Sequence, residues 1–405
     1  MAMKPMKALI SLEEGMRILM ESVQPITRTE RVGLLDACGR VLAERIVAIA
    51  DVPPFARAAM DGYAVIAQDT FGAGNFNPAQ LRLLEVVHAA DIASATVASG
   101  ACTQVATGAP VPAGADAVVQ VEDTELTGDA GSVKIYQPVY PRQNISPQGR
   151  DIQAGQEVLA AGTRLDPSKI GVLAALGLTQ VAVVAKPTVA VVPSGNEIVA
   201  PGEPLVPGKI YDINSYTLAS LIQAVGGLPR LFPIMKDTLG DVRRTLRDAL
   251  ACDLVVLSGG SSVGERDVMV EAVESLGEVK FHGIAVKPGK PTLCGVIEGT
   301  LVLGMPGYPT SCLTNGYGLL APALRKLAHL PEPRTEGIDL PMARRYTSTT
   351  GRHQYLPVRI EGGEVAPAFK ESGSITSMAD AEGYIEIPAN VDLVEKGERV
   401  LVKFF

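Results

Sequence analysis

Residues 253–267 read DLVVLSGGSSVGERD, an apolar run that passes directly into a glycine-rich loop. This pattern is typical of a buried β-strand followed by a tight turn and the start of a helix. The pattern recurs about four times after Thr188, as in TVAVVPSG (residues 188–195) followed by the helical stretch IYDINSYTLASLIQAVGG. This alternation predicts a parallel α/β sheet covered by helices on both faces, and we assign it to residues 185–331.

The segments on either side of this domain have a different texture. Residues 51–140 contain short strands separated by Gly and Pro turns, which predicts a small β domain inserted into another domain. The two halves of that outer domain are residues 1–50 and 141–184. Residues 332–405 return to short alternating strands and predict a small β-barrel or sandwich. The expected fold is therefore multidomain, of the α/β plus β class.

The composition restricts the class of function. The chain has 405 residues, with 36 Lys and Arg against 44 Asp and Glu, so nucleic acid is not expected as a partner. The five cysteines are scattered, which indicates neither a disulfide framework nor a zinc site. Because Glu13 and Glu14 interrupt the N-terminal segment and Lys186 breaks the most apolar stretch, we expect no export signal, no membrane span and a cytoplasmic location.

Four loops follow apolar runs in the α/β domain, and we expect them to meet at the carboxyl edge of the sheet. They are PSGNE (193–197), MKDT (235–238), SGGSSVGERD (258–267) and GMPGYP (304–309). Glycines allow a ligand to approach the backbone closely, and hydroxyls and amides near a helix start suit a phosphate. The candidate ligand-binding residues in these loops are Ser258, Gly259, Gly260, Ser261, Ser262, Gly304, Pro306 and Gly307.

The same loops carry three carboxylates, Glu197, Asp237 and Asp267. Carboxylates that converge repel one another, and a hard cation such as Mg²⁺ is the usual remedy, so these three residues are the candidate metal ligands. The alternative is that each carboxylate caps a helix. Asp237, directly before TLGDVRR, fits that alternative about as well.

Residues 283–295 read GIAVKPGKPTLCG and place two lysines, Lys287 and Lys290, on a stiff Pro-Gly-Pro frame. A lysine is a compact point charge suited to a phosphate or another oxyanion. Two solvated loop lysines are the plain alternative. The frame and its position in the α/β domain favour an anion site.

Several motifs occur in a fixed order along the chain: PPFARAAMDGYAV, TGAPVPAGADAVV, GRDI, PSGNEI, IYDINSY, SGGSSVGERD, KPGKP and GMPGYPTSC. Together they resemble the molybdopterin molybdenumtransferase family, which is the MoeA family related to the E domain of gephyrin. The resemblance runs from Leu12 to nearly the C-terminus. As an ordered set these motifs are highly specific, although each is short.

The resemblance implies an L-shaped, four-domain protomer. An elongated first domain in two halves would flank the inserted β domain, and a central parallel α/β (MogA-like) domain and a C-terminal β-barrel would follow. The resemblance also implies a homodimer whose site lies where the α/β and C-terminal domains face the β domain of the partner. The implied reaction inserts molybdenum from molybdate, or tungsten from tungstate, into adenylylated molybdopterin and releases AMP with the help of Mg²⁺. The molybdopterin adenylyltransferase is the implied delivering partner.

The resemblance also assigns roles to individual residues. Asp61 of AMDGYAV and Thr107 of TGAP would act across the dimer, and Asp151 of GRDI occupies another carboxylate position. Glu197, Asp237 and Asp267 match the acidic loop positions, and Lys287 and Lys290 match the KPGKP lysines. Arg352 of GRHQYLPV and Ser374 of ESGSITS match C-terminal positions that reach towards the site.

The chain departs from the family pattern at three places. Tyr308 stands where the usual GLPGNP loop has Asn, Ala56 stands where many relatives have an acidic residue, and Asn196 stands where Asp is frequent. The first two positions bear on substrate affinity and on the choice of oxyanion. The charged set itself is complete.

Two other functions fit parts of the sequence. The α/β domain alone resembles the domain that adenylylates molybdopterin, so an adenylyltransferase is one alternative. A non-catalytic pterin-binding scaffold is the other, as the likeness to gephyrin allows. The additional domains favour metal insertion over the first alternative, and the complete charged set disfavours the second.

Overall fold

The computed structural model of the chain describes residues 9–128, 131–259, 268–332 and 337–405. The chain forms two compact units. The larger unit contains residues up to Val32, Asp36–Ala43 and Ala182–Phe405, and the smaller contains Gly33–Leu35 and Glu44–Val181. Among the described residues, no helix is long and apolar enough to cross a membrane.

A six-stranded sheet forms the centre of the smaller unit. Its strands, in order across the sheet, are Ala117–Gln120, Gly62–Val65, Ala101–Val105, Ala79–Val87, Ser132–Ile135 and Thr124–Leu126. Strand Gly62–Val65 is buried along its whole length because the sheet carries an apolar cluster on each face. The remaining elements of this unit are the strands Ile46–Val47, Arg57–Ala58, Ile145–Ser146 and Glu157–Leu159, the 3₁₀ helices Ala67–Thr70 and Val121–Asp123, and the helix Pro167–Ala175. The strands Thr29–Gly33 and Gln180–Val184 and the helix Leu34–Ala37 lie where the chain passes between the units.

The larger unit contains the predicted α/β domain, whose elements are numbered here within that domain. The strands are β1 (Thr188–Pro193), β2 (Leu228–Leu231), β3 (Leu254–Ser258), β4 (Glu278–His282), β5 (Leu293–Ile297) and β6 (Thr300–Met305). The helices are α1 (Asn214–Ala224), α2 (Leu239–Ala249), α3 (Val268–Leu276), α4 (Pro309–Asn315) and α5 (Ala321–Leu327). The order across the sheet is β2-β1-β3-β6-β5-β4.

The sheet is not parallel throughout, and on this point the sequence-based prediction was wrong. Strands β2, β1, β3 and β6 pair in parallel, whereas β5 pairs antiparallel with both β6 and β4. The cause is the two-residue loop Glu298-Gly299 between β5 and β6. Both residues have positive φ, 49° and 83°, as a tight hairpin turn requires. The hairpin reverses the chain before a helix can form.

Helices cover both faces of this sheet, as predicted. Val189 and Val191 of β1 face one apolar cluster, which also contains Leu218 of α1 and Leu324 of α5. Their neighbours Ala190 and Val192 face a second cluster with residues of α2 and α3. Because both faces are buried, the strands read as continuous apolar runs and not as alternating ones. The N-terminal helix Leu12–Ser22 joins the first cluster, and its cap Ser11 accepts a hydrogen bond from the Glu14 amide at 3.1 Å.

The long helix predicted after GMPGYP forms with an irregular centre. A π-helical turn, Gly316–Leu320, separates α4 from α5. Pro322 in α5 has no amide hydrogen, and its ring would crowd the carbonyl of Gly318 in a regular α-helix. The wider π-helical turn accommodates this proline.

The C-terminal segment forms a sheet-rich domain with its own core. Its main sheet contains, in order, Val286–Lys287, His353–Glu361, Gly383–Ile387, Arg399–Phe404 and Gly337–Pro341, with Glu364–Pro367 paired to His353–Glu361. Its other elements are the strands Tyr346–Thr347 and Leu393–Val394 and the helix Thr376–Ala379. A further pair of short strands, Ile198–Val199 and Ile210–Tyr211, belongs to the α/β domain. The first strand, Val286–Lys287, comes from the KPGKP segment. The lysine segment therefore joins the α/β domain to the C-terminal domain.

Candidate active site

The strand-end loops of the α/β domain meet at one edge of the sheet. The Ser194 amide donates to the Ser258 carbonyl at 2.8 Å, and the Met235 amide donates to the Pro193 carbonyl at 2.8 Å. A Cβ on Gly307 would lie 3.6 Å from the Cα of Gly259. The loops PSGNE, MKDT and GMPGYP therefore adjoin one another and the start of the third loop at Ser258 and Gly259, as the strand–helix alternation predicts.

Two glycines make this close packing possible. Gly259 has φ of +100°, and a Cβ there would lie 2.1 Å from the Ser194 carbonyl oxygen. Gly195 has φ of +146°, and a Cβ there would lie 2.8 Å from both carboxylate oxygens of Glu197. Both positions have positive φ, which strains any other residue. At Gly259 a side chain would also require the backbone to move, whereas at Gly195 it would displace the Glu197 carboxylate.

Glu197 and Asp237, two of the three predicted metal ligands, lie close together. Burial raises the pKa of Asp237, and the neighbouring Glu197 charge raises it further, while the Ser194 hydroxyl and the Asn196 amide oppose the rise. Asp237 does not cap helix α2, because the cap is Thr238, whose hydroxyl accepts from the Asp241 amide at 3.2 Å. The capping alternative for Asp237 is therefore wrong.

The pair is compatible with a divalent cation. Its oxygen donors are those that Mg²⁺ prefers, and because burial first and the Glu197 charge second raise the pKa of Asp237, a bound cation would favour the charged form of both carboxyls. Within the described part of the chain, no group of three or more His, Cys, Asp or Glu side chains gathers to hold a metal. The third predicted ligand, Asp267, lies outside the described residues, as do Gly260, Ser261 and Ser262.

The loop after β6 supplies backbone to this edge. The Asn214 Nδ2 donates to the Gly307 carbonyl at 2.9 Å. Pro306 lies between the end of β6 and Gly307. Tyr308 follows and is 68% exposed. Gly304 instead lies inside strand β6, where a Cβ would meet the Leu293 Cβ at 2.8 Å. Its glycine is explained by packing within the sheet.

Two buried polar atoms at the start of α1 were not identified from the sequence. The Asn214 Oδ1 and the Ser215 Oγ have no hydrogen-bond partner among the described residues, and both residues are at most 8% exposed. These two side chains add polar groups close to the loop edge, next to Gly307. The segment IYDINSY carried a family likeness but no individual signal for these two side chains.

Two of the predicted cations, Lys287 and Arg352, form a second cluster at the junction with the C-terminal domain. The Lys287 Nζ donates to the Thr349 Oγ1 at 2.8 Å. Burial lowers the pKa of Lys287, and the neighbouring Arg352 charge lowers it further. Strand pairing explains why Lys287 and Arg352 are close, because Lys287 lies opposite Gln354, which is two residues after Arg352.

This cationic cluster has no internal counter-charge. In residues 9–128, 131–259, 268–332 and 337–405, no carboxylate forms an ion pair with Lys287, Lys290 or Arg352. Two like charges held close at a partly buried position cost free energy unless an anion neutralises them. The cluster therefore has the charge arrangement of an anion site.

Ser374 lies on a loop of the C-terminal domain that packs on the start of α4. The Thr310 Oγ1 donates to the Ser374 carbonyl at 2.8 Å, and the Thr310 amide donates to the Ser372 carbonyl at 3.1 Å. A Cβ on Gly373 would contact the Tyr308 ring at 3.8 Å. The backbone of Ser374 therefore adjoins the GMPGYP loop.

In the smaller unit, the structure brings Asp61 and Thr107 together. The Asp61 Oδ1 accepts from the Thr107 amide at 2.7 Å and from the Thr107 hydroxyl at 2.9 Å. The hydrogen bond from the Thr107 amide lowers the pKa of Asp61 most, and the bond from the Thr107 hydroxyl lowers it further. Asp151 lies on an exposed loop, and in the described chain its carboxylate contacts neither of these residues by a hydrogen bond.

Three family models match the chain and together cover most of it. The model "MoeA N-terminal region (domain I and II)" matches residues 10–177. The model "Probable molybdopterin binding domain" matches residues 190–326, which include β2 to β6 and all of β1 except its first two residues. The model "MoeA C-terminal region (domain IV)" matches residues 339–405.

Individual relatives agree with these models over nearly the full length. The chain is 34% identical to molybdopterin molybdenumtransferase 2 of Mycobacterium tuberculosis, covering 97% of this chain and 98% of the relative. Two crystal structures of molybdopterin biosynthesis MoeA proteins from Pyrococcus horikoshii are also similar. One is 40% identical with a TM-score of 0.86, covering 98% of this chain and 99% of the other. The second is 33% identical with a TM-score of 0.84, covering 98% and 100%.

Proposed function

Because this chain belongs to the MoeA family of molybdopterin molybdenumtransferases, we propose that it transfers molybdenum from molybdate to adenylylated molybdopterin with release of AMP. The family acts in molybdenum cofactor biosynthesis, and its members are transferases. The observation that carries the finer proposal is the cationic cluster of Lys287 and Arg352, which has no counter-charge among the described residues. The substrates are anions.

The cations of this chain would bind and orient those anions. Molybdate and the diphosphate of the adenylylated pterin bring several negative charges to one place, and Lys287, Lys290 and Arg352 offset them. Attack of a molybdate oxygen or of water on the pterin's phosphorus breaks the phosphoanhydride bond, AMP leaves with the bonding electron pair, and water hydrolyses any phosphate–molybdate bond so formed. The two dithiolene sulfurs replace two oxygens of molybdate, which leave as water with the two thiol protons and two protons from solvent, so molybdenum stays Mo(VI). No electron is transferred to the protein, and no covalent protein nucleophile is required, because positioning of the two substrates supplies the rate enhancement. Ser374, beside the GMPGYP loop, would contact the same anions.

Glu197 and Asp237, with Asp267, would hold Mg²⁺. When bound, Mg²⁺ supplies charge neutralisation and polarisation of the phosphoanhydride. The carboxylate pair supports this role because its mutual repulsion is relieved by a cation. Ser258, Gly259 and the segment that follows, with Gly307, would present backbone amides and hydroxyls to the substrate phosphates and pterin, and Pro306 would contribute an apolar contact. Packing accounts for Gly304, so we give it no contact with the substrate.

We further propose a homodimer in which the partner's smaller unit completes the site. Asp61, whose second carboxylate oxygen is unoccupied by Thr107, would reach the substrate across the dimer, with Asp151 as an additional carboxylate. The adenylyltransferase that produces the substrate is the proposed transient partner.

The domain boundaries proposed from the sequence remain our proposal for the MoeA-like multidomain structure. They are residues 1–50 with 141–184, 51–140, 185–331 and 332–405. We also propose that the C-terminal strands close into a β-barrel. A bridge between Met342 and Val365 supports closure, because it connects the strands Gly337–Pro341 and Glu364–Pro367 at the open side of the sheet.

The experiment that tests the proposed reaction compares two substrate pairs. The purified chain receives either adenylylated molybdopterin with molybdate and Mg²⁺, or metal-free molybdopterin with ATP and Mg²⁺. We expect AMP release and a molybdenum-containing pterin with the first pair and no pyrophosphate with the second. Pyrophosphate release with the second pair indicates an adenylyltransferase. Tight binding of the adenylylated pterin without turnover indicates a scaffold.

A further inference from the structure

The Gly289 carbonyl, between the two lysines, accepts hydrogen bonds from two buried side chains, Asn315 and Thr292. Asn315, the last residue of α4, is 1% exposed, and its Nδ2 donates to the Gly289 carbonyl at 3.0 Å and to the Thr292 Oγ1 at 2.6 Å. The Thr292 hydroxyl in turn donates to the same Gly289 carbonyl at 2.8 Å. Three polar groups thus form a closed triangle in the interior, with both Nδ2 hydrogens used.

The backbone of the lysine loop is shaped to fit this amide. Gly289 has φ of +109°, and a Cβ there would lie 2.5–2.7 Å from the Asn315 side-chain atoms. The Lys290 carbonyl also accepts from the Ile284 and Thr292 amides, both at 3.0 Å, which closes the loop on itself. The segment from Lys287 to Lys290 therefore has one conformation that Asn315 recognises.

Helix α4 connects this triangle to the other half of the site. The helix begins beside the GMPGYP loop and the Ser374 loop, and it ends at Asn315. Seven helical residues span about 10 Å, so one rigid element carries a contact to each cluster at either end. The π-helical turn that follows begins at Gly316, directly after Asn315.

From this geometry we infer that Asn315 is a positioning residue: it fixes the Gly289 carbonyl and thereby sets the spacing and direction of Lys287 and Lys290 towards the oxyanion. This inference rests on the proposed function for its substrate. Asn315 itself touches no reacting atom and acts through the lysine loop. A buried amide that served only stability would not need to select the one loop that carries both cations.

The test uses Asn315→Leu, which keeps the side-chain volume and removes both donated hydrogen bonds. Its matched control is Thr314→Val on the same helix turn, because Thr314 is also buried and loses one weak bond, to the Met378 sulfur at 3.7 Å. The first readout is the dissociation constant for tungstate alone, measured by titration calorimetry. We expect Asn315→Leu to weaken tungstate binding on the order of tenfold, since each lost buried bond affects the loop geometry, and Thr314→Val to change it less than about twofold.

A kinetic readout separates positioning from general damage. In AMP release, Asn315→Leu should raise the half-saturating molybdate concentration while leaving the KM for the adenylylated pterin near the wild-type value. If Asn315→Leu does not fold, Thr292→Val removes the second corner of the triangle and is expected to weaken tungstate binding by about threefold. Wild-type tungstate affinity in the folded variant overturns the inference, as does absence of tungstate binding by the wild type. If tungstate binding is weakened but the wild type releases no AMP, the positioning role stands and the proposed reaction fails.

Discussion

Lys287 and Arg352 are two like charges that the fold holds close together at a partly buried position, and this pair is the core of the functional argument at the residue scale. Burial and the Arg352 charge both lower the pKa of Lys287. Without a bound anion this arrangement does not stabilise the fold, because each cation disfavours the charged form of the other. A bound dianion reverses the sign of the interaction.

The first prediction concerns the charge of Lys287. Lys287→Ala removes one cation from the oxyanion site and should raise the half-saturating molybdate concentration by about tenfold, with a smaller effect on the KM for the adenylylated pterin. Lys396→Ala, at an exposed position of the C-terminal domain, is the control and should leave both values unchanged. Steady-state AMP release measures both. An unchanged molybdate requirement in Lys287→Ala means that this lysine binds something else.

The second prediction concerns pH. Because the pKa of Lys287 lies below that of an ordinary lysine, the free enzyme loses this charge earlier as the pH rises, and molybdate affinity should fall on the alkaline side. Lys287→Arg keeps its charge at every accessible pH and should delay that loss. The measurement is the half-saturating molybdate concentration between neutral pH and about pH 10. Identical profiles for the two proteins contradict the assignment.

The third prediction concerns the carboxylate pair. The folded-state pKa of Asp237 is raised, so its ionisation costs stability, and this loss sets in as the pH rises through the folded pKa. At neutral pH, Mg²⁺ should therefore raise the Tm of the wild type, and Asp237→Asn should be more stable without Mg²⁺ and respond less to it. Thermal unfolding with and without saturating Mg²⁺ tests this directly. An equal Mg²⁺ response in both proteins removes Asp237 from the metal site.

Some of the individual site residues could be predicted from the sequence, and others could not. Lys287, Lys290 and the acidic loop residues stand in motifs with unusual flanking residues, so they could be proposed in advance. Asn315 and Thr349 could not, because their partners lie 26 and 62 residues away along the chain. A polar residue in a helix has no local pattern that indicates which distant carbonyl or ammonium it binds.

At the scale of elements, the strand-end loops depend on glycine more than on any side chain. Gly259 approaches the Ser194 carbonyl so closely that a methyl group would overlap it. The loop after β3 can therefore lie against the loop after β1 only with glycine at this position. The same contact places Ser258 and Gly259 at the sheet edge.

The fourth prediction follows from that contact. Gly259→Ala combines a left-handed backbone with a collision and should lower the free energy of unfolding by about 2–4 kcal/mol, with loss of affinity for the adenylylated pterin. Gly240→Ala in helix α2 is the matched control, since nothing lies within 4 Å of its Cβ position. The control should be neutral or stabilising by up to about 1 kcal/mol. Urea unfolding compares the two, and equal stabilities contradict the packing argument.

The elements themselves were partly predictable. Strands β1, β3 and β6 read as apolar runs because helices bury both of their faces, and the helices between them follow from their length and caps. The antiparallel pairing of β5 was missed, because a two-residue hairpin at Glu298-Gly299 differs from an ordinary turn only in its backbone angles. The sequence pattern shows where strands are, and pairing direction depends on partners that the pattern does not contain.

At the scale of the whole molecule, the family membership and the likeness to MoeA structures over nearly the full chain agree with the motif order read from the sequence. The candidate residues divide between the two compact units. Lys287, Arg352 and the carboxylate pair belong to the larger unit, and Asp61 and Thr107 belong to the smaller. The homodimer proposed above would unite them between different copies of the chain.

The fifth prediction tests that arrangement by subunit complementation. Asp61→Asn and Lys287→Ala should each be nearly inactive at low molybdate, and their mixture after dissociation and reassociation should recover about one quarter of the wild-type rate. That fraction arises because half of the random dimers are mixed and each mixed dimer has one intact site. Mixing Asp61→Asn with itself is the control and should recover nothing. No recovery in the mixture places both residues in one chain's site.

The central claim is oxyanion-dependent cleavage of the adenylylated pterin, and the most direct measurement is single-turnover AMP release as molybdate or tungstate is varied at saturating Mg²⁺. The account predicts a burst of AMP that saturates with oxyanion concentration and coincides with appearance of the metal in the pterin. It also predicts that Lys287→Ala shifts the saturation curve to higher concentration. AMP release that is independent of oxyanion, or no release despite tight pterin binding, would contradict it.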